Sequence, residues 1–136
     1  MPKLSSVVLA CAILLAACDR GDRGGGAESR ALAGRVMKGA LAYPQSTLIG
    51  LSAGADVAEL RFTSPAGARK VADWFRTALP LNRWELEHDA VNRDGAIVIT
   101  ARQGKRPLWI TVTPNVGGPG STYSLIGAVV EGDSIR

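Results

Sequence analysis

Few residues in this 136-residue chain could carry covalent or acid–base chemistry, since it has two cysteines and one histidine. Both thiols, Cys11 and Cys18, lie near the N-terminus, so the remainder holds neither a disulfide nor a thiol nucleophile. His88 stands outside any metal or triad pattern, because a metal site needs several convergent ligands and a hydrolase needs a partnered base. It reads as a strand residue satisfied by solvent or backbone. Glu85, Glu87 and Asp89 alternate along one stretch. Acid-pair catalysis draws its carboxylates from facing elements, so these read as a solvated strand face, with a weak cation site or an acidic docking stripe as the competing reading. Gly117-Gly118-Pro119-Gly120 reads as a hairpin connection rather than a ligand loop. This set yields no catalytic residue, metal ligand or cofactor, and the expectation is a non-catalytic domain.

Cys18 is the exception. Met1-Pro2-Lys3 is a short basic start, and Leu4 to Ala17 is then free of charge. That length suits a signal-peptide core and falls short of the about 20 residues a membrane-spanning helix needs. The stretch ends in Leu15-Ala16-Ala17-Cys18, which resembles the lipobox of bacterial lipoproteins. The resemblance implies that residues 1–17 are removed as a signal peptide. Small residues at 16 and 17 would enter a narrow protease site, the Cys18 thiol would take diacylglycerol, and the freed amine would take a further acyl chain such as palmitate. Two or three chains anchor stably, because each buried methylene contributes about 0.8 kcal/mol. The competing reading is a plain secretory signal or an uncleaved anchor helix. Asp19 resembles the inner-membrane retention signal of enteric lipoproteins; the alternative is a linker residue without a sorting role. The expected location is the cell envelope, lipid-anchored and facing the periplasm, with the inner membrane favoured.

Composition bounds the rest. Hydrophobic residues make up 46% and charged residues 21%, which are globular values. The net charge is +4, but Arg and Lys are scattered rather than gathered on one element, which argues against a nucleic-acid binder. A secondary attraction to anionic lipid headgroups suits a tethered protein. The length allows one domain, and about 100 residues bury enough surface to fold without staples.

The elements that would position any site can be read from periodicity. Residues 18–27 read as the lipidated cysteine and a flexible glycine-rich tether. Residues 28–42 read as a marginal helix with a stripe of Leu32, Val36, Met37, Ala40 and Leu41, weakened by Gly34 and Gly39. Residues 43–136 read as an α+β domain. Thr47 to Ala53 and Val57 to Thr63 are strands joined at Gly54-Ala55-Asp56. Ser64 caps and Pro65 opens a helix to about Leu79 that buries Ala68, Val71, Ala72, Phe75 and Leu79 and is ended by Pro80. Trp84 to Asp89, Ala96 to Arg102, Leu108 to Thr113 and Tyr123 to Glu131 are the later strands, with Asp94-Gly95 as hairpin chemistry. The prediction is a two-layer sandwich in the order ββαββββ, one main helix (about 65–79) on an antiparallel sheet of about six strands. Trp74-Phe75-Arg76-Thr77-Ala78-Leu79, with Asn82-Arg83-Trp84 after it, resembles a pattern of small envelope lipoprotein domains, with Asn82-Arg83 where glycine is usual. The layout of residues 43–131 is similar to helix-grip domains, a likeness that implies fold rather than activity.

The far face of the sheet is the remaining signal. With Leu108, Ile110 and Val112 toward the helix, Trp109 points away beside Thr111, and the last strand is apolar on both sides. Either the 28–42 helix covers that side, or Trp109 lies flat beside a threonine, or the face is a contact surface. Trp109, Val98 and Thr111 are the candidate partner contacts. The favoured reading is a protein-interaction module working with an envelope protein partner. The alternative is a binder of a small molecule, lipid or glycan in a helix/sheet groove.

Overall fold

The computed structural model describes residues 25–128. The predicted signal peptide, Cys18, Asp19 and residues 129–131 of the predicted last strand lie outside the described residues. Two helices, α1 (Gly25–Val36) and α2 (Ala68–Leu81), accompany six strands: β1 (Thr47–Ala53), β2 (Val57–Ser64), β3 (Glu85–Val91), β4 (Ile97–Gln103), β5 (Arg106–Pro114) and β6 (Ser121–Ala128). The strands form one antiparallel sheet in the order β1-β2-β6-β5-β4-β3. After the β1–β2 hairpin the chain crosses through α2 to the opposite edge. It then returns as a meander until β6 closes onto β2. The predicted α+β layout, with one main helix on a six-stranded antiparallel sheet, is the one found.

The main helix starts later and ends later than predicted. Ser64 is not its cap. It is the last residue of β2, paired with Ser121 and buried, and its Oγ accepts from the Ala66 amide at 3.1 Å. The sheet holds Ser64 in place, so the chain needs Pro65 to Gly67 to turn, and Gly67 becomes the N-cap. At the other end Pro80 lies inside the last turn. The bond its missing N–H would make is offset by two closing bonds: the Arg83 amide donates to Pro80 O at 3.1 Å and the Trp84 amide to Leu79 O at 3.0 Å. These are the two bonds of a Schellman end, and Arg83 sits at its left-handed position with φ 65°. Leu79 and Trp84 complete the motif by packing into the core, each 2% exposed. Ala68, Ala72 and Ala78 let α2 lie close to the sheet, while Val71, Phe75 and Leu79 interdigitate with Ile110, Tyr123 and their neighbours.

Helix α1 corrects two expectations. It begins at Gly25, within the stretch read as tether, and stops at Val36 rather than near residue 42. It also lies on the same face of the sheet as α2, against β1 and β2, so it does not cover the far side. Three features dock it. Leu32, Ala33, Val36 and Met37 are buried. Gly127 on β6 admits the helix end, because a Cβ there would collide with Val36 and come within 3.3 Å of the Met37 sulfur. Arg106 Nη2 donates to the carbonyls of Val36 at 2.7 Å and Lys38 at 2.9 Å, placing a cation at the negative end of the helix. Trp84 Nε1 adds a bond to Gly39 O at 2.9 Å, and the Arg106 guanidinium lies 5.5 Å from the Trp84 ring centre.

Both edge strands are interrupted. The register slips at Ile49 in β1 and at Glu87 in β3. A bulge reverses side-chain parity, and at an edge it discourages pairing with another chain. The slip in β3 overturns the predicted acidic face. Glu85 pairs across from Arg102 and His88 across from Thr100, whereas Asp89 pairs across from buried Ile99 and meets α2. The three carboxylates therefore do not form one stripe.

The left-handed position is costly for arginine and free for glycine. Arg83→Gly is expected to raise unfolding stability by about 0.5–1 kcal/mol, read as a higher denaturant midpoint at unchanged slope. An unchanged or lower midpoint would contradict the Schellman end.

Candidate functional site

A cleft opens where the first half of α2 stands beside the ends of β3, β4 and β5. Its volume is about 660 Å³, and it is lined by Gly67, Ala68, Arg69, Lys70, Asp73, Val91, Gly95, Ile97 and Pro114. That volume falls within the range of small-molecule sites. Each wall has a local cause. Ala68 is a small residue at the first inward position of α2, so the helix start carries little bulk beside Ile97. The Asn92-Arg93-Asp94-Gly95 turn needs φ 84° at Gly95, and it brings Val91 and Ile97 to the same end of the sheet. Val91 is left 66% exposed there, an apolar side chain without cover. Further along α2 the space between helix and sheet is filled by Phe75, Leu79 and Tyr123.

Charge at the cleft is set by Arg76. Its guanidinium donates from Nε and Nη2 to Asp89 at 2.5 and 2.8 Å, and from Nη1 to Asp73 at 2.6 Å. This bidentate grip ties the middle of α2 to the edge strand β3. The hydrogen bonds from Arg76 hold the Asp89 carboxyl below its ordinary range, against the opposing effect of desolvation. Asp73, on the cleft wall, shares that guanidinium with Asp89. Arg69 and Lys70 on the same helix have no ion-pair partner among the described residues.

The far face of the sheet is open, and the predicted contact residues share it. Val98 faces Thr111 across the β4–β5 pair, Trp109 lies between Thr100 and Ile126, and Trp109 is 42% exposed. A shallow depression of about 150 Å³ beside them is lined by Glu59, Arg61, Thr111, Thr113, Thr122, Tyr123 and Ser124. Apolar surface here is confined to Trp109 and a few aliphatic neighbours amid hydroxyls. Glu87 is ion-paired with Arg102 at the β3 edge. Among the described residues, no group of three or more His, Cys, Asp or Glu is placed to hold a metal ion. None of their helices is long and apolar enough to cross a membrane.

Sequence reasoning misses the cleft. Its residues come from four separate segments, and none belongs to a motif. The legible signals are weak: a small residue opening an otherwise bulky helix face, and the apolar Val91 just before a polar turn.

The Arg76–Asp89 pair gives a pH signature. Asp89 loses its proton more readily when folded than when unfolded. The pair therefore stabilises above the ordinary carboxylate value of about 4, and that contribution fades as pH falls through the depressed folded value. Both side chains keep solvent contact, 29% and 37% exposed, which screens the interaction to less than about 1 kcal/mol. Asp89→Asn is expected to lose about 0.5 kcal/mol at about pH 7, with the gap to the native chain closing below about pH 4. A gap of constant size from about pH 7 to about pH 2 would contradict the ion pair.

The family model for START domain-like proteins matches residues 45–123, more than half of the chain. No curated protein and no solved structure matches it significantly. The matched span runs from just ahead of β1 into β6 and takes in α2 and every wall of the cleft. With a helix laid on an antiparallel sheet over that span, the chain belongs to the START domain-like family.

Proposed function

We propose that this domain binds a small molecule with an apolar body in the cleft beside α2, while Cys18 tethers it to a membrane of the cell envelope. The observation that carries the reading is the cleft itself: about 660 Å³, with buried Ala68 and Ile97 at its base and exposed Val91 and Pro114 at its sides. A cleft of that volume with a mainly apolar lining is the usual form of a small-molecule site. START-like domains often bind small hydrophobic ligands, which supports the groove over the sheet's far face. The work is binding and release, with no cofactor invoked. The anchor rests on the Leu15-Ala16-Ala17-Cys18 lipobox resemblance, and a periplasm-facing, inner-membrane position rests on Asp19. Tethering would hold the cleft within reach of membrane-derived molecules.

A second reading keeps the domain as a protein-interaction module. It rests on half-exposed Trp109 with Val98 and Thr111 on one unpartnered face. An aromatic anchor of this kind is common at protein contacts, but the surrounding threonines and serines leave little continuous apolar area.

The test uses the full chain in lipid nanodiscs with labelled methyl groups, titrated with 1-octanol against a background of empty discs. The cleft reading predicts shifts at Ala68, Val91 and Ile97, and their loss in Val91→Trp, where the indole fills the space. Shifts centred on Val98 and Ile126 instead, or shifts that survive Val91→Trp, would contradict it. The same preparation weighed intact reports the anchor: diacylglyceryl and acyl mass is expected on Cys18, and a bare N-terminus would contradict it.

A further inference from the structure

We infer that the molecule bound in this cleft is an anionic amphiphile, its acidic head held by Arg69 and Lys70; the inference rests on the cleft being the ligand site. The lining separates by chemistry. Ala68, Val91, Ile97 and Pro114 offer apolar surface, and the charge comes from α2 alone. Of the three charged residues on that wall, Asp73 is drawn to Arg76, from which it accepts at 2.6 Å, and the other two are cationic. Asp94, in the turn beside Gly95, accepts from the Ala96 amide at 3.1 Å and is turned into its own loop. Arg69 and Lys70 are adjacent, exposed and without an ion-pair partner among the described residues. The cleft therefore presents positive charge at its rim and hydrocarbon on its floor.

That arrangement discriminates among head groups. A carboxylate or a phosphate regains charge-assisted hydrogen bonds from the guanidinium and ammonium as it leaves water. A neutral alcohol accepts only weaker bonds from the same donors, and a quaternary ammonium is repelled. Carboxylate and phosphate share the required chemistry: a compact acid on an apolar tail. The tail would lie over Ala68 and Ile97, and Arg69 and Lys70 outnumber Asp73, the one carboxylate on the cleft lining.

The experiment compares four eight-carbon probes on the full chain in nanodiscs, with empty-disc partitioning subtracted and the cleft methyls as readout. These are octanoate, octyl phosphate, 1-octanol and octyltrimethylammonium. At least one acid is expected to bind about tenfold more tightly than the alcohol, and the tighter of the two identifies the head. The ammonium is expected to bind most weakly. In the double variant Arg69→Gln/Lys70→Gln, both substitutions lie on an exposed helix face, and the acids are expected to fall to the affinity of the alcohol. If the alcohol binds the native chain as tightly as both acids, the inference fails while the cleft reading stands. If the acids are favoured but the double variant leaves the preference intact, the assignment to Arg69 and Lys70 fails. If no probe moves the cleft methyls, the cleft reading and this inference fall together.

Discussion

The structure is governed by one mismatch of widths. Six strands spaced about 4.8 Å apart make a sheet about 24 Å across, and a helix covers only about 10 Å of it. The inner face is apolar nearly throughout, from Ala58 and Phe62 on β2 to Ile97 and Ile99 on β4. It must be covered, and α2 alone is too narrow. Helix α1 is recruited to the β1–β2 side, although its glycines make it a poor helix in isolation. Its docking therefore depends on tertiary contacts: Val36 over Gly127, the Trp84 indole on Gly39 O, and Arg106 across the last carbonyls. Two helices still leave a margin on the β3 side, and the cleft lies there, at the ends of β3, β4 and β5.

The same constraint accounts for how α2 is held. Its C-terminal half is fixed by the Schellman end and by Trp84, with Phe75 and Tyr123 meeting edge to face at 5.4 Å. Its middle is tied to β3 through Arg76 and Asp89. Its first turn begins after a free-standing turn and carries alanine rather than a bulky anchor. One end of the helix is thus locked and the other stands open. A ligand placed at the open end would meet apolar floor and cationic rim without disturbing the packed half.

Much of this is legible in the sequence, for identifiable reasons. Alternation along Val57 to Thr63 and Leu108 to Thr113, and the inward set of α2, report burial directly, so the succession of elements and the inward helix face emerge correctly. The helix ends do not, because they depend on partners distant in sequence. Ser64 is claimed by Ser121, and Pro80 is tolerated because Trp84 closes the turn behind it. Parity in β3 fails at Glu87 because a bulge carries no compositional mark here. The side chosen by α1 is illegible because Gly127 reads as an ordinary strand glycine until a helix is seen to cross it. Period two puts Trp109 and Thr111 on one face, and Val98 joins them through the β4–β5 register. The cleft escapes notice because it is made of gaps between segments, and a gap has no residue of its own.

The two faces present different surfaces. One is a polar sheet with a single tryptophan; the other has a cleft with exposed Val91 and Pro114 over a buried apolar base, and we assign the work of the domain to the second. The most direct measurement is native mass spectrometry of the full chain extracted from its own membranes into nanodiscs, with Val91→Trp prepared in parallel. A working cleft predicts one noncovalent small-molecule adduct on the native chain that is absent from the variant. Bare protein in both samples, or the same adduct on both, would contradict it.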